Sequence, residues 1–89
     1  ATPLHTASGE GQVDILKYFI EELHVDPDVK NHWKQTPLLY AAWEGSLEAT
    51  EYLIEKGADP SVIDSFLKNP FDYALAKNHT KVLEYLRNL

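Results

Sequence analysis

One block recurs along this chain in a fixed register, and an internal repeat constrains a fold more tightly than composition does. Thr2-Pro3-Leu4 returns as Thr36-Pro37-Leu38 after 34 residues, and in looser form as Asn69-Pro70-Phe71 after a further 33. Gly11, Gly45 and Asn78 keep the same shifts, as do Tyr18, Tyr52 and Tyr85. Asp26-Pro27 and Asp59-Pro60 lie 33 apart. Several independent markers in one register describe an array of about two and two-thirds units, spanning 1–34, 35–67 and 68–89 of the 89 residues. A chain this short buries only roughly 60–65% of its unfolded surface, so each unit must find its core against its neighbours.

Each unit has the same local chemistry. Thr2 and Thr36 suit a helix N-cap, and the proline after each suits the first helical position, where a missing N–H costs nothing. Asn69-Pro70 is the same device with another capping residue. A short helix then runs to Glu10, Glu44 and about Lys77, ended by Gly11, Gly45 and Asn78, residue types that accept a left-handed backbone. A second helix follows, with apolar stripes at Val13, Leu16, Phe19, Ile20 and Leu23, at Leu47, Thr50, Leu53 and Ile54, and at Val82, Leu83, Tyr85, Leu86 and Leu89. Gly57 closes the second of these helices. The polar connections after Asp26 and Asp59 are too long for a helix–helix turn and predict an extended loop or hairpin.

These residues resemble the ankyrin repeat, whose unit of about 33 residues reads T-P-L-H-x-A-A, then Gly, a helix, and G-A-D before a hairpin. Thr2-Pro3-Leu4-His5-Thr6-Ala7-Ser8, Thr36-Pro37-Leu38-Leu39-Tyr40-Ala41-Ala42 and Gly57-Ala58-Asp59 carry the resemblance. Unit one reads Leu23-His24-Val25-Asp26, with one extra residue. Unit three departs at Asn69, Asp72, Leu75 and Asn78, a drift expected of a C-terminal capping unit with Glu84, Arg87 and Asn88 toward water. Unit one lacks a leading hairpin, so the expectation is a piece of a longer array. The fold implied is an all-α solenoid of stacked helix-turn-helix units joined by β-hairpin loops.

The resemblance further implies a non-catalytic module that binds another protein or peptide through its concave face and hairpin tips. The alternative is an architectural spacer packed against other domains of a larger enzyme, channel or scaffold. Position by position, the implied contact residues are Glu10, then Lys30, His32, Trp33 and Gln35 of the first hairpin. Trp43 and Glu44 follow on the second short helix, Ile63, Ser65, Phe66 and Lys68 on the second hairpin, and Lys77 in unit three. Trp33 and Phe66 hold the same tip position, either as partner anchors or as packing between adjacent hairpins. Trp43 is read as a partner contact. Lys30, His32, Trp33 and Lys34 make a basic, aromatic tip on an otherwise acidic molecule, which suits an acidic segment of the partner or serves only to blunt an exposed edge.

Other functions find little support. Fourteen acids against eight Lys and Arg give a charge of −6, which argues against nucleic acid. No apolar run approaches the roughly 18–20 residues of a membrane span. With no cysteine, disulfides and thiolate metal sites are excluded. His24, His32 and His79 are scattered, so neither a metal nor another cofactor is expected. The resemblance gives His5 a structural role, ordering the turn and the neighbouring hairpin. Asp26 and Asp59 are expected to bond backbone N–H groups in turns. No phosphate loop and no G-x-S-x-G motif occurs. Asn78-His79-Thr80 fits a glycosylation acceptor but fills the slot between two helices. Family habit implies an intracellular setting, cytoplasmic or nuclear. An uncovered N-terminal face would leave self-association open.

Overall fold

The computed structural model describes residues 3–89, with side chains from His5 onward. The cap expected at Thr2 lies outside the described residues. Helix α1 covers Pro3–Gly9 and α2 covers Val13–Lys17; α3 and α4 cover Pro37–Glu44 and Leu47–Glu55; α5 and α6 cover Pro70–Ala76 and Thr80–Arg87. The Thr36 hydroxyl accepts from the Leu39 N–H at 3.4 Å, as the Thr-Pro motif predicts. Asn69 does more. Its side chain accepts from the Asp72 N–H at 2.7 Å while Asp72 accepts from the Asn69 N–H at 3.0 Å, a reciprocal capping box. Asp72, which stands in register with His5, thus has a local purpose of its own. Gly11, Gly45 and Asn78 end the short helices with φ of 70°, 79° and 62°.

The inner helices α1, α3 and α5 lie side by side with α3 in the middle, and α2, α4 and α6 form the outer layer. Small residues let the inner helices approach closely. Ala41 packs toward unit one with Ala7, Leu16, Leu38, Ala49, Tyr52 and Leu53. Its neighbour Ala42 packs toward unit three with Ala74, Val82 and Leu83. Both cores are interfaces between units, as a repeat array requires.

Two parts of the apolar pattern are corrected. Leu23 and Leu89, counted in the outer-helix stripes, are exposed. The extra residue of unit one, assigned to His24-Val25, is taken up earlier, in a wide π turn over Tyr18–Glu22, where the Leu23 N–H bonds the Tyr18 carbonyl at 3.1 Å. One inserted residue turns an i→i+4 pattern into i→i+5, after which His24 occupies the left-handed position that Gly57 holds one unit later.

The connections are hairpin-shaped, but no regular strand occurs among the described residues. Asn31 and Gln35 close the first tip, Asp64 and Lys68 the second, through backbone N–H to carbonyl bonds of 3.0 and 3.1 Å. Lys34 and Leu67 turn the chain with φ near +60°, the left-handed residue that follows a type I turn in three-residue loops. The Ser65 N–H donates to the Trp33 carbonyl at 2.9 Å and joins the two tips. Asp26 and Asp59 accept from the N–H two residues on, as their turn role predicts. His5 is buried, and its Nε2 lies 2.7 Å from the Gln35 carbonyl, tying α1 to the first hairpin.

Glycine substitutions separate backbone strain from crowding. A Cβ at Gly45 would stand 2.4 Å from His79 Nδ1, whereas one at Gly57 meets nothing within 4 Å. Gly57→Ala is expected to cost about 1 kcal/mol, the left-handed penalty alone, and Gly45→Ala about 2–4 kcal/mol, measured by urea unfolding. His5 supplies a pH test. Burial holds its pKa below the ordinary 6.5, against the opposing hydrogen bonds to the Gln35 and Val29 carbonyls. The unfolded chain therefore takes up this proton first, and stability falls as pH drops below about 6.5 toward the folded pKa. His5→Gln should be less stable at pH 7 by about 1–3 kcal/mol but lose less between pH 7 and 5.

Candidate functional site

The expected contact residues fall into two groups. Lys30, His32, Trp33, Ile63, Ser65, Phe66 and Lys68 are all exposed on the hairpins, and Glu10, Trp43, Glu44 and Lys77 are exposed at the C-terminal ends of the inner helices. Gln35 lies between the groups and is half-buried. Register explains the second group: Glu10, Glu44 and Lys77 hold one position in successive units, and Gly9, Trp43 and Ala76 hold the position before it. Trp43 therefore rises between two small neighbours and remains 41% exposed.

Trp43 is nonetheless held. Its ring meets Tyr73 edge-on at 5.3 Å, and Lys77 Nζ stands 4.6 Å from its centroid. The His79 ring lies against its backbone carbonyl at 2.9 Å, where the last turn of α3 leaves carbonyl groups without helical partners. Together with Gln35, Leu39, Tyr40, Glu44 and Tyr73, Trp43 lines a pocket of about 410 Å³ on the inner-helix face.

The polar residues behind this pocket escaped the sequence reading. Asp64 is only 3% exposed, yet it is a carboxylate. Its Oδ1 accepts from the N–H groups of Phe66 at 2.9 Å and Lys68 at 3.1 Å, and its Oδ2 accepts from the Tyr73 hydroxyl and from Gln35 Nε2 at 3.4 Å. Burial opposes its charge, but these donors outweigh burial and hold its pKa below the usual carboxylate range. Burial, reinforced by the bond to Asp64, pushes the Tyr73 hydroxyl up to about 12, so it stays a donor. One unit earlier Asn31 takes the equivalent place. Its Oδ1 accepts from the Trp33 and Gln35 N–H groups, and its Nδ2 donates to Tyr40 Oη at 3.1 Å and Gln35 Oε1 at 3.0 Å.

Gln35 thus joins the two hairpins and also lines the pocket. The signal for this network was present, since Asn31/Asp64 and Tyr40/Tyr73 each recur at 33 residues. The Tyr40 ring is further braced by His5, edge-on at 5.0 Å. Three aromatic rings are consequently fixed before any ligand arrives, and affinity need not be spent on ordering them.

The hairpins expose both apolar and basic side chains. Trp33, Ile63, Phe66 and Leu67 are exposed, Phe66 by 58%, and so are Lys30, His32, Lys34 and Lys68. Trp33 meets the His32 ring at 5.7 Å within its own hairpin. Its link to the next hairpin runs through its backbone carbonyl.

The described residues contain no group of three or more side chains suited to a metal ion, and no helix long and apolar enough to cross a membrane. Residues 4–89 match the family model for ankyrin repeats in three copies. Over 87 residues the chain is 36% identical to alpha-latrocrustotoxin-Lt1a of Latrodectus tredecimguttatus, covering 98% of this chain and 6% of that protein. It is 40% identical over 62 residues to a putative E3 ubiquitin-protein ligase, XBAT31, of Arabidopsis thaliana, covering 70% of this chain and 13% of the relative. To the E3 ubiquitin-protein ligase XB3 of Oryza sativa subsp. japonica it is 34% identical over 62 residues, covering 70% of this chain and 14% of that protein. The chain therefore spans a small fraction of these relatives' lengths. Repeat register, stacked helix pairs and a family match over nearly all its length agree: the chain belongs to the ankyrin-repeat family, whose modules are non-catalytic scaffolds for protein–protein interaction.

Proposed function

We propose that this module binds a partner protein along the line from the hairpin tips to the inner-helix ends, with Trp43 as the central anchor. The carrying observation is the preformed pocket, where an exposed tryptophan stands among rings already fixed by Asn31, Asp64 and His5. A large, partly desolvated aromatic in a fixed pocket is where binding energy concentrates. The basic residues of the hairpins that carry Trp33 and Phe66 support an acidic segment of the partner at the hairpin edge. Binders selected from a random peptide display library on the 89-residue chain provide the test. Trp43→Ala should weaken them by about 10–30-fold, roughly 1.4–2 kcal/mol, with an unchanged urea midpoint, while Glu84→Ala on the outer layer changes nothing. Unfolding of the Trp43→Ala chain would make Trp43 a core residue, and undiminished binding would remove it as the anchor.

A second reading concerns the ends of the stack. Ala49 and Tyr52 are buried against unit one, and Tyr52 donates to Glu21 at 2.6 Å. Their counterparts Ile15 and Tyr18 are exposed, Tyr18 by 55%. We infer that this face accepts another repeat, from the parent chain or from a second copy. At the other end, Leu75 is 57% exposed where Ala42 is buried. Light scattering of the chain should detect concentration-dependent association, abolished by Ile15→Ser with Tyr18→Ser. A monomer at all concentrations would exclude the second copy.

A further inference from the structure

The pocket has a polarity that narrows what can enter it. Its one ionisable group at the mouth is Glu44, with the walls made of Tyr40, Trp43 and Tyr73 and the floor of Leu39. Among the described residues the one ion pair joins Lys56 to Glu21, far from this site in the chain, so Glu44 has no internal cation. Two cations stand over rings, Lys56 over Tyr52 and Lys77 over Trp43. Lys77 comes from α5 and approaches Trp43 from the third unit. Tyr40 and Glu44 face the other way, toward Gly9, where an added Cβ would stand 3.3 Å from Glu44 Cγ and 3.7 Å from Tyr40 Cδ2. The Tyr40–Glu44 side of the pocket therefore offers a ring face and a carboxylate with no charge of opposite sign.

Three classes of side chain can be compared. An acid would meet Glu44 at the mouth and the buried Asp64 carboxylate behind Tyr73, and the Gln35 amide that might have received it already donates to Asp64. An apolar side chain would fit the walls but leave Glu44 at the mouth without a partner. On the side away from Lys77 a cation satisfies both parts: the Tyr40 ring attracts it and Glu44 pairs with it.

We propose that this pocket takes a lysine or arginine side chain of the partner on its Tyr40–Glu44 side, its charged head against Glu44 and its stem along the Tyr40 ring. This rests on the reading of Trp43 as a partner anchor. Combined with the basic hairpin edge, it describes a partner segment that carries both acidic residues and a basic residue.

The test uses acetyl-Gly-Xaa-Gly-amide peptides with Arg, Lys, citrulline, norleucine or Glu at Xaa, titrated to millimolar concentration against the 89-residue chain. The readout is the Trp43 indole N–H resonance in a nitrogen–proton correlation spectrum, assigned by its loss in Trp43→Phe. The Arg and Lys peptides should shift it saturably and bind at least fivefold more tightly than the citrulline and norleucine peptides. Glu44→Gln should weaken Arg and Lys binding at least threefold and leave norleucine unchanged. Equal binding of citrulline or norleucine, or preferred binding of the Glu peptide, would overturn the basic specificity while leaving the pocket as an anchor site. A Trp43 resonance moved by none of the peptides would overturn both readings.

Discussion

The close approach of three short helices governs the rest of this molecule. Ala41 and Ala42 sit back to back on α3, one against unit one and the other against unit three. Side chains this small bring neighbouring backbones together on the inner layer, while Leu16, Leu53, Val82 and Leu83 fill the wider space beneath the outer layer. Leu38 and Leu39 of α3 still find room in the core, but Tyr40, Trp43 and Tyr73 reach the open face, and the pocket is a consequence of their projection.

Hydrogen bonding then converts a stack of helices into a rigid surface. The hairpins contain too little regular pairing to hold themselves, and polar side chains supply the difference. Asn31 and Asp64 each close their own tip and each hold a tyrosine of the following inner helix. Gln35 bridges the two sets. Burying Asp64 as a carboxylate is acceptable only because four donors reach it, since a buried charge without such partners is strongly disfavoured. Removal of any member leaves others unsatisfied, which gives the network a cost of disruption larger than one hydrogen bond.

Much of the fold was legible because it rests on short-range rules. Thr36, Asn69, Gly45 and Asn78 act through the backbone within a few residues of themselves, and their roles follow from residue type and spacing. Two local details were not. The extra residue of unit one could be absorbed anywhere between Tyr18 and Asp26, and the π turn at Tyr18–Glu22 takes it while Phe19 and Ile20 within it and Val25 beyond it all pack on the core. Leu23 and Leu89 fit the helical stripe by period alone, but both lie past the last helical residue, Glu22 and Arg87, and are exposed.

By itself the sequence determined the repeat, its register, the caps and the exposed positions of Trp43, Glu44, Trp33 and Phe66, because each follows from periodicity and local backbone chemistry. Tertiary structure decided what those positions mean. It made Gln35 a bridge between hairpins, because its amide reaches Asp64 29 residues away. It also assembled Tyr40, Trp43, Glu44 and Tyr73 into one pocket. Those residues come from two helices whose spacing depends on the volume of Ala42 and Ala74 buried between them, a distance that no local pattern encodes.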